Sequence, residues 1–535
     1  MLTRNSIRLS LILVLLCAVI YSQETDKKPA KSADSLTIGI SGRLSTINPI
    51  SSVLVDSNSE AIRPLMYNSL VKRNNNLEYV GELAKEINIL NNGKIIEFVL
   101  YDNIPFQNTE ILTSADVKYT LEALLSNDWA KSSIFYESVG DKRISIISSI
   151  KTPDSRTVHL FINKSSNINP ILNYLNTIPI VAKGSISLED DAKLPIGTGA
   201  YKFVKFDNEK GILELKANKN YWQGVPSISN LQIKFKIEKK NVISDIKSNK
   251  LDIFIDSDDF TLEEIENFKP DKNVKINFQN DNSVNYLAFN TQTYPLNNKK
   301  VRQAIAYAID REGIIDNLLN GNAEIAHSIL PKESWAYSAG TKYNFDQVKA
   351  KNLLKEAGFK DENKDGMFDI KPIVINVANG SQESIKIAEN IKNHLMEIGL
   401  PIKVEPDEFQ TIISRVHSGK YQLSIGRWVG GNQDPRFLHD LFASSEIPND
   451  QKYSRNRSRY KNKKVDDLLN SAMQELDTSK AKSFYQDAQD IISEDMPLLP
   501  LWYPSYLIIT NQKVYGDFSN SKRDFSFVKD LIKLP

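Results

Sequence analysis

The sequence predicts an α/β protein organised around a parallel sheet. Three observations predict it. Residues 372–425 read strand, helix, strand, helix, strand, an order that a parallel sheet accommodates. The chain has 535 residues, too many for one hydrophobic core, and a length prior gives about three domains. The last strand of the alternating run ends at an aromatic, a glycine turn and Asp434-Pro435, where the carboxyl ends of parallel strands gather their ligands.

Taken in order, the elements begin with an export signal. Arg4 and Arg8 form a positive segment, and Leu9 to Ile20 form an apolar one with Ser10 as its polar member. The run is shorter than the about 20 residues a mature membrane anchor takes. Cleavage near Ser22 is favoured, giving residues 1–22 as a signal peptide and a periplasmic protein. Cys17, the single cysteine, offers lipid attachment as the alternative. Losing Arg4 and Arg8 lowers the formal charge from +1 to −1, with no basic excess to attract nucleic acid.

Residues 23–35 read as a polar tether. Leu36 to Ile40 alternate as a strand, and Glu60 to Leu70 carry apolar residues at helical spacing. Ile95 to Leu100 is a strand. Thr113-Ser114-Ala115-Asp116 is a helix cap, with Val117, Leu121 and Leu124 on the face that follows. Ser145–Ile150 and Thr157–Ile162 read as paired strands. Gly197-Thr198-Gly199 has no Gly-Lys-Ser/Thr after it and leads into a strand, so a structural turn is favoured over a phosphate cradle. Val301, Ala304, Ile305 and Ala308 form a helical stripe. Ile387, Ala388, Ile391 and Leu395 form another, and Phe409, Ile412, Ile413 and Val416 a third. Two late helices follow, around Val465–Met473 and Ala481–Ile492.

Catalytic chemistry is hard to find. The five histidines form no metal-binding pair, and no Gly-x-Ser-x-Gly turn is present. Asp256, Asp258 and Asp259 read as a solvated loop. Asp361 to Gly366 starts like a calcium loop but places Pro372 where a bidentate Glu belongs, so a polar turn is favoured. No enzyme, metal or cofactor is expected. Trp428, set at a strand end beside Gly430-Gly431, points to a ligand cleft.

A set of short segments carries a family resemblance. Leu65 to Leu70, Leu112 to Val117, Pro195 to Tyr201, Asn220-Tyr221-Trp222, Phe289-Asn290-Thr291, Val301 to Asp310 and the loop around Trp428 occur in one order and spacing. Together they resemble the extracellular solute-binding proteins of oligopeptide, dipeptide and nickel ABC importers. The resemblance implies a two-lobed, periplasmic-binding-protein-like trap with a hinge and an extra smaller α+β domain. One lobe would comprise 23–76, 185–285 and 501–535, the accessory domain 77–184 and the other lobe 286–500. It implies a monomer that captures a small peptide-like ligand and delivers it to an inner-membrane permease. An orphan role in signalling or surface interaction is the alternative.

The candidate ligand residues are Trp428, Arg427, Gly430, Gly431, Asn432 and Asp434, with Arg43, Asn58 and Asn290 from outside the loop. Peptide-binding members usually carry an Asp that pairs with the α-ammonium, and the matching position here is Gly431. Asn432 or Asp434 are the stand-ins. On this reading Gly431→Asp would improve affinity for peptides with free N-termini. Arg427 is open between a solvent-facing residue and an anion contact.

Overall fold

The computed structural model describes Ala33 to Pro535 apart from residues 51–55, 128, 140–141, 164–168, 188–192, 257–271, 282, 450–453 and 519–523. The signal segment with Cys17, and Asp258 and Asp259, lie outside the described residues.

One long sheet runs through the molecule. Its strands lie in the order Tyr201–Asp207, Ile212–Ala217, Asn230–Lys234, Ser35–Ile40, Ile253–Asp256, Leu498–Asn511, Ser283–Phe289, Leu423–Val429, Ile373–Ala378 and Ile402–Asp407. The last three are parallel, as the alternating pattern predicts, with Ile375 beside both Leu423 and Val404 neighbours in register. Leu498–Asn511 belongs to both halves. Leu507–Thr510 pair with Ile253–Asp256, and Leu498–Trp502 pair with Ser283–Phe289. It is buried along its length except at Pro504 and Ser505, which are half-buried. The sequence reads mostly apolar because both faces are covered.

Separate cores flank the shared strand. One packs Leu36, Ile38, Leu213, Leu231 and Ile508, and another packs Val301, Ile305, Ile387, Ile391 and Leu499. A third gathers residues between Ile50 and Ala182 over a four-stranded antiparallel sheet. There Ile95–Leu100 and Thr157–Ile162 bury every second residue, a half-buried sheet written as alternation. Its helix Ser114–Ser126 starts where the Thr-x-x-Asp pattern predicts: Thr113 N donates to Asp116 Oδ2 at 2.8 Å. The hairpin Val71–Arg73 and Tyr79–Gly81 joins this core through Val71 and Tyr79. A division at 76/77 therefore passes through the turn of one hairpin.

Gly197 and Gly199 are explained by close approach. A Cβ on Gly199 would sit 2.2 Å from the Met66 carbonyl carbon, and one on Gly197 would sit 2.4 Å from Met66 O. The pair is a structural turn. The Asp361 loop is likewise a polar turn: its carboxylate accepts from Asp365 N and Gly366 N at 3.1 and 3.0 Å. The helix Phe409–Ser418 departs from expectation at one residue. Ile412 and Val416 are buried, but Phe409 opens the helix and is 60% exposed.

A buried arginine ties a helix to the shared strand. Arg311 donates to the carbonyls of Ala326, Pro500 and Tyr343 at 2.6–2.9 Å. His327 follows Ala326. Burial, and then the nearby Arg311 charge, push its pKa down to about 4. The folded state therefore resists a proton that the unfolded chain takes up below its ordinary value. Its contribution is present above pH about 6.5 and is lost as pH falls towards about 4. One pKa unit corresponds to about 1.4 kcal/mol, and solvent at this half-buried site reduces the sum to about 1–2 kcal/mol. His327→Gln is expected to lose less stability than the unmodified protein between pH 7 and pH 4.5 in denaturant melts. Equal losses would show that His327 carries none of the acid sensitivity.

Candidate functional site

A cavity of about 600 Å³ lies between the halves. One wall comes from the helix Ser57–Met66 and the chain after it, which present Glu60, Arg63, Asn68, Arg73 and Glu82. Asn173 and Asn176 come from the helix Asn169–Thr177. The opposite wall is Val429, Gly430, Gly431, Gln433 and Asp434, and Asp524 and Lys529 close the set. Its size falls among pockets for small organic ligands, about 300–1,000 Å³.

The charges in the walls are held by their neighbours. Burial raises the pKa of Glu60, but Arg63 and Lys131 outweigh it and keep the carboxylate below its ordinary value. Lys131 Nζ stands 2.6 Å from Glu60, and burial pushes this lysine down to about 8. Glu82 is different. Burial holds its carboxyl above the usual range, opposed by donors from Ser69 N at 2.6 Å and Asn68 Nδ2 at 2.9 Å. Asn68 is fixed in turn by Thr198 Oγ1, which donates to Asn68 Oδ1 at 3.0 Å. The glycine turn at 197–199 thus backs the cavity wall.

The Trp428 loop divides into residues that face the cavity and residues that do not. Trp428 stacks on Tyr286 at 5.7 Å, meets Phe437 edge-on at 5.4 Å and lies under the Arg457 guanidinium at 4.7 Å. Its ring packs with the core of the C-terminal half, and the cavity wall is built by its neighbours. Gly430 turns the chain with φ +76°, a region side chains disfavour. Asn432 is buried behind the loop. Its amide nitrogen and oxygen, and Trp428 Nε1, have no hydrogen-bond partner among the described residues, an expensive arrangement inside a protein.

Asp434 lines the cavity with both oxygens engaged. Tyr79 OH donates to Oδ2 at 3.0 Å, and Arg436 N donates to Oδ1 at 2.9 Å. Burial and then the Asp434 charge hold the Tyr79 phenol protonated well above its ordinary range.

Four expected residues stand elsewhere. Arg427 forms an ion pair with the buried Asp281, and its Nε donates to Ser283 Oγ at 2.9 Å, where the chain crosses between halves. Arg427 is exposed to solvent while held by this pair, and it does not line the cavity. Asn290 is 1% exposed, with Nδ2 donating to Gly419 O and Tyr421 O at 2.9 Å. Asn58 donates to Arg43 O at 2.8 Å, and Arg43 borders a separate recess with Phe206 and Lys236. Sequence reasoning missed Arg73, Tyr79, Glu82 and Asn68. Asn68 lies in a flagged segment; the others carry no local signal.

Two α/β halves that share one strand, with a polar cavity between them, define a solute-binding trap. The likeness in fold is to the ABC transporter substrate binding protein CtaP of Listeria monocytogenes, with a TM-score of 0.77 at 22% identity over 94% of this chain and 100% of that one. The chain belongs to the bacterial extracellular solute-binding proteins of family 5, whose model, described as "family 5 Middle", matches residues 78–450. Among curated relatives, the oligopeptide-binding protein AppA of Bacillus subtilis is 26% identical over 517 residues, covering 93% of this chain and 91% of that protein. Heme-binding protein A of Haemophilus influenzae is 30% identical over 309 residues, covering 57% and 54%. Membership therefore leaves the ligand to be argued from the cavity.

Proposed function

We propose that this protein is the solute-binding component of an ABC importer that captures a peptide or peptide-like solute between its lobes and delivers it to a membrane permease. The single observation that carries the ligand class is the cavity of about 600 Å³, walled on one side by cations and carboxylates and on the other by the Asp434 carboxylate. A zwitterion meets partners of both signs there. The likeness to the oligopeptide-binding AppA over 93% of the chain supports the same reading. Export through residues 1–22, or anchoring through Cys17, places the trap outside the cytoplasm, and it works as a monomer. The lobe limits are those given above, with the hairpin at 71–81 moving as one piece.

Asp434 is the acid for the peptide amine in this reading, since it lines the cavity and Gly431 cannot serve. With Asp434 in that role, the absence of a carboxylate at 431 gives no reason to prefer an orphan signalling role. Calorimetry with trialanine and N-acetyl-trialanine tests the assignment. A buried charge-assisted hydrogen bond contributes about 1.5–3 kcal/mol, so Asp434→Asn is expected to weaken trialanine about tenfold to a hundredfold. The acetylated peptide should bind poorly to both proteins. Equal binding of free and acetylated peptide by the unmodified protein would sink the assignment.

A further inference from the structure

We propose that the hairpin Val71–Arg73 and Tyr79–Gly81 is a clasp that fastens the two halves directly to each other, and that Arg73 is its positioning residue. The inference rests on the reading of this protein as a trap that opens and closes.

Arg73 and Tyr79 are opposite each other in the hairpin register, and the guanidinium lies 5.1 Å over the phenol ring. The arginine reaches three elements. Nη2 donates to Tyr79 OH at 2.7 Å and to Asn173 Oδ1 at 2.9 Å, and Nη1 donates to Gln433 Oε1 across the cleft. Tyr79 OH then donates to Asp434 Oδ2 at 3.0 Å, also across the cleft. At the hairpin tip, Trp335 N donates to Asn76 O at 3.0 Å. The tip is pre-set, because Asn74 Oδ1 accepts from Asn76 N and Glu78 N at 2.9 and 3.0 Å.

The chemistry of the acceptors gives the clasp its direction. Among the described residues, each acceptor bonded to Arg73 is neutral. The compensating carboxylate is Asp434 on the other half, reached through the Tyr79 hydroxyl. Cation and anion therefore sit on opposite halves and meet only when the cleft is shut. In a part-buried site such a relay is stronger than the same groups in water. These bonds join protein to protein, so they bias the open–closed equilibrium whatever the ligand. Apparent affinity scales with the fraction of molecules in the competent form, and Arg73 tunes affinity through that fraction.

Small-angle X-ray scattering and stopped-flow binding of trialanine test the clasp on the full mature chain. Arg73→Met and, from the opposite half, Gln433→Leu are compared with Lys85→Met, an exposed lysine on the adjoining strand. Both clasp variants are expected to show a larger radius of gyration without added peptide, with Lys85→Met unchanged. Trialanine should leave them about tenfold faster or more, with a smaller change in the association rate. Clasp variants that are folded by circular dichroism and scatter like the unmodified protein would overturn the proposal. Should Arg73→Met fail to fold, Gln433→Leu decides alone. If trialanine binds none of the proteins, the peptide reading fails, and the scattering still decides the clasp.

Discussion

Gly199→Ala is expected to be strongly destabilising for a change of one methyl group. The added carbon would stand 2.2 Å from the Met66 carbonyl carbon and 2.5 Å from Tyr67 N, and backbone cannot rotate out of the way as a side chain can. Overpacking a rigid site costs typically about 1–3 kcal/mol and sometimes more, and this contact belongs at or beyond the upper end. The displaced segment leads into Asn68, which accepts from Thr198 and donates to Glu82 in the cavity wall. Binding should fail along with stability. Denaturant unfolding is the measurement, with a lower midpoint and an unchanged slope. A loss below about 1 kcal/mol would show that the turn slides freely.

Gly431→Asp is expected to do the opposite of what a missing carboxylate suggests. A Cβ there would lie 2.8 Å from Phe437 Cε2 and 3.0 Å from Cδ2. Phe437 is 4% exposed and edge-packed on Trp428, so the ring has nowhere to go. The variant should lose about 1–3 kcal/mol of stability and bind trialanine more weakly. It would also set a second acid three residues from Asp434. Melting curves and calorimetry on the variant report both effects. Tighter binding without a lower melting temperature would mean that Phe437 yields and that the carboxylate belongs at 431 after all.

Much of the scaffold could be read from periodicity. The alternation of Ile95–Leu100, the stripe from Val301 to Ala308 and the Thr113–Asp116 cap are local signals, and local physics forms them. The site was legible only in part. Consecutive strand residues point to opposite faces, and the pattern around Trp428 does not say which face is the cavity. The ring went to the core with Tyr286, and Val429 beside it went to the cavity. Arg427 gave no hint that its partner would be Asp281, 146 residues away. The far wall was hidden for the same reason. Arg73, Tyr79 and Glu82 look like ordinary surface residues until packing gathers them around Asn68 and Asp434.

The strand Leu498–Asn511 has a mechanical consequence. Tyr503 is pinned to one half, its hydroxyl donating to Ser328 O and Leu330 O at 2.6 and 2.5 Å. Tyr506, three residues on, is embedded in the core of the other half. Whatever rocking this strand permits must be absorbed by Pro504 and Ser505 between them. The proline ring fixes its own φ near −65°, which leaves very few free torsions at the pivot. Pro504 O also accepts from Asp281 N at 2.8 Å, so the second crossing is lashed to the first at the same point. The two halves are therefore geared like a stiff axle: they can roll about one line, and they resist being pulled apart or slid.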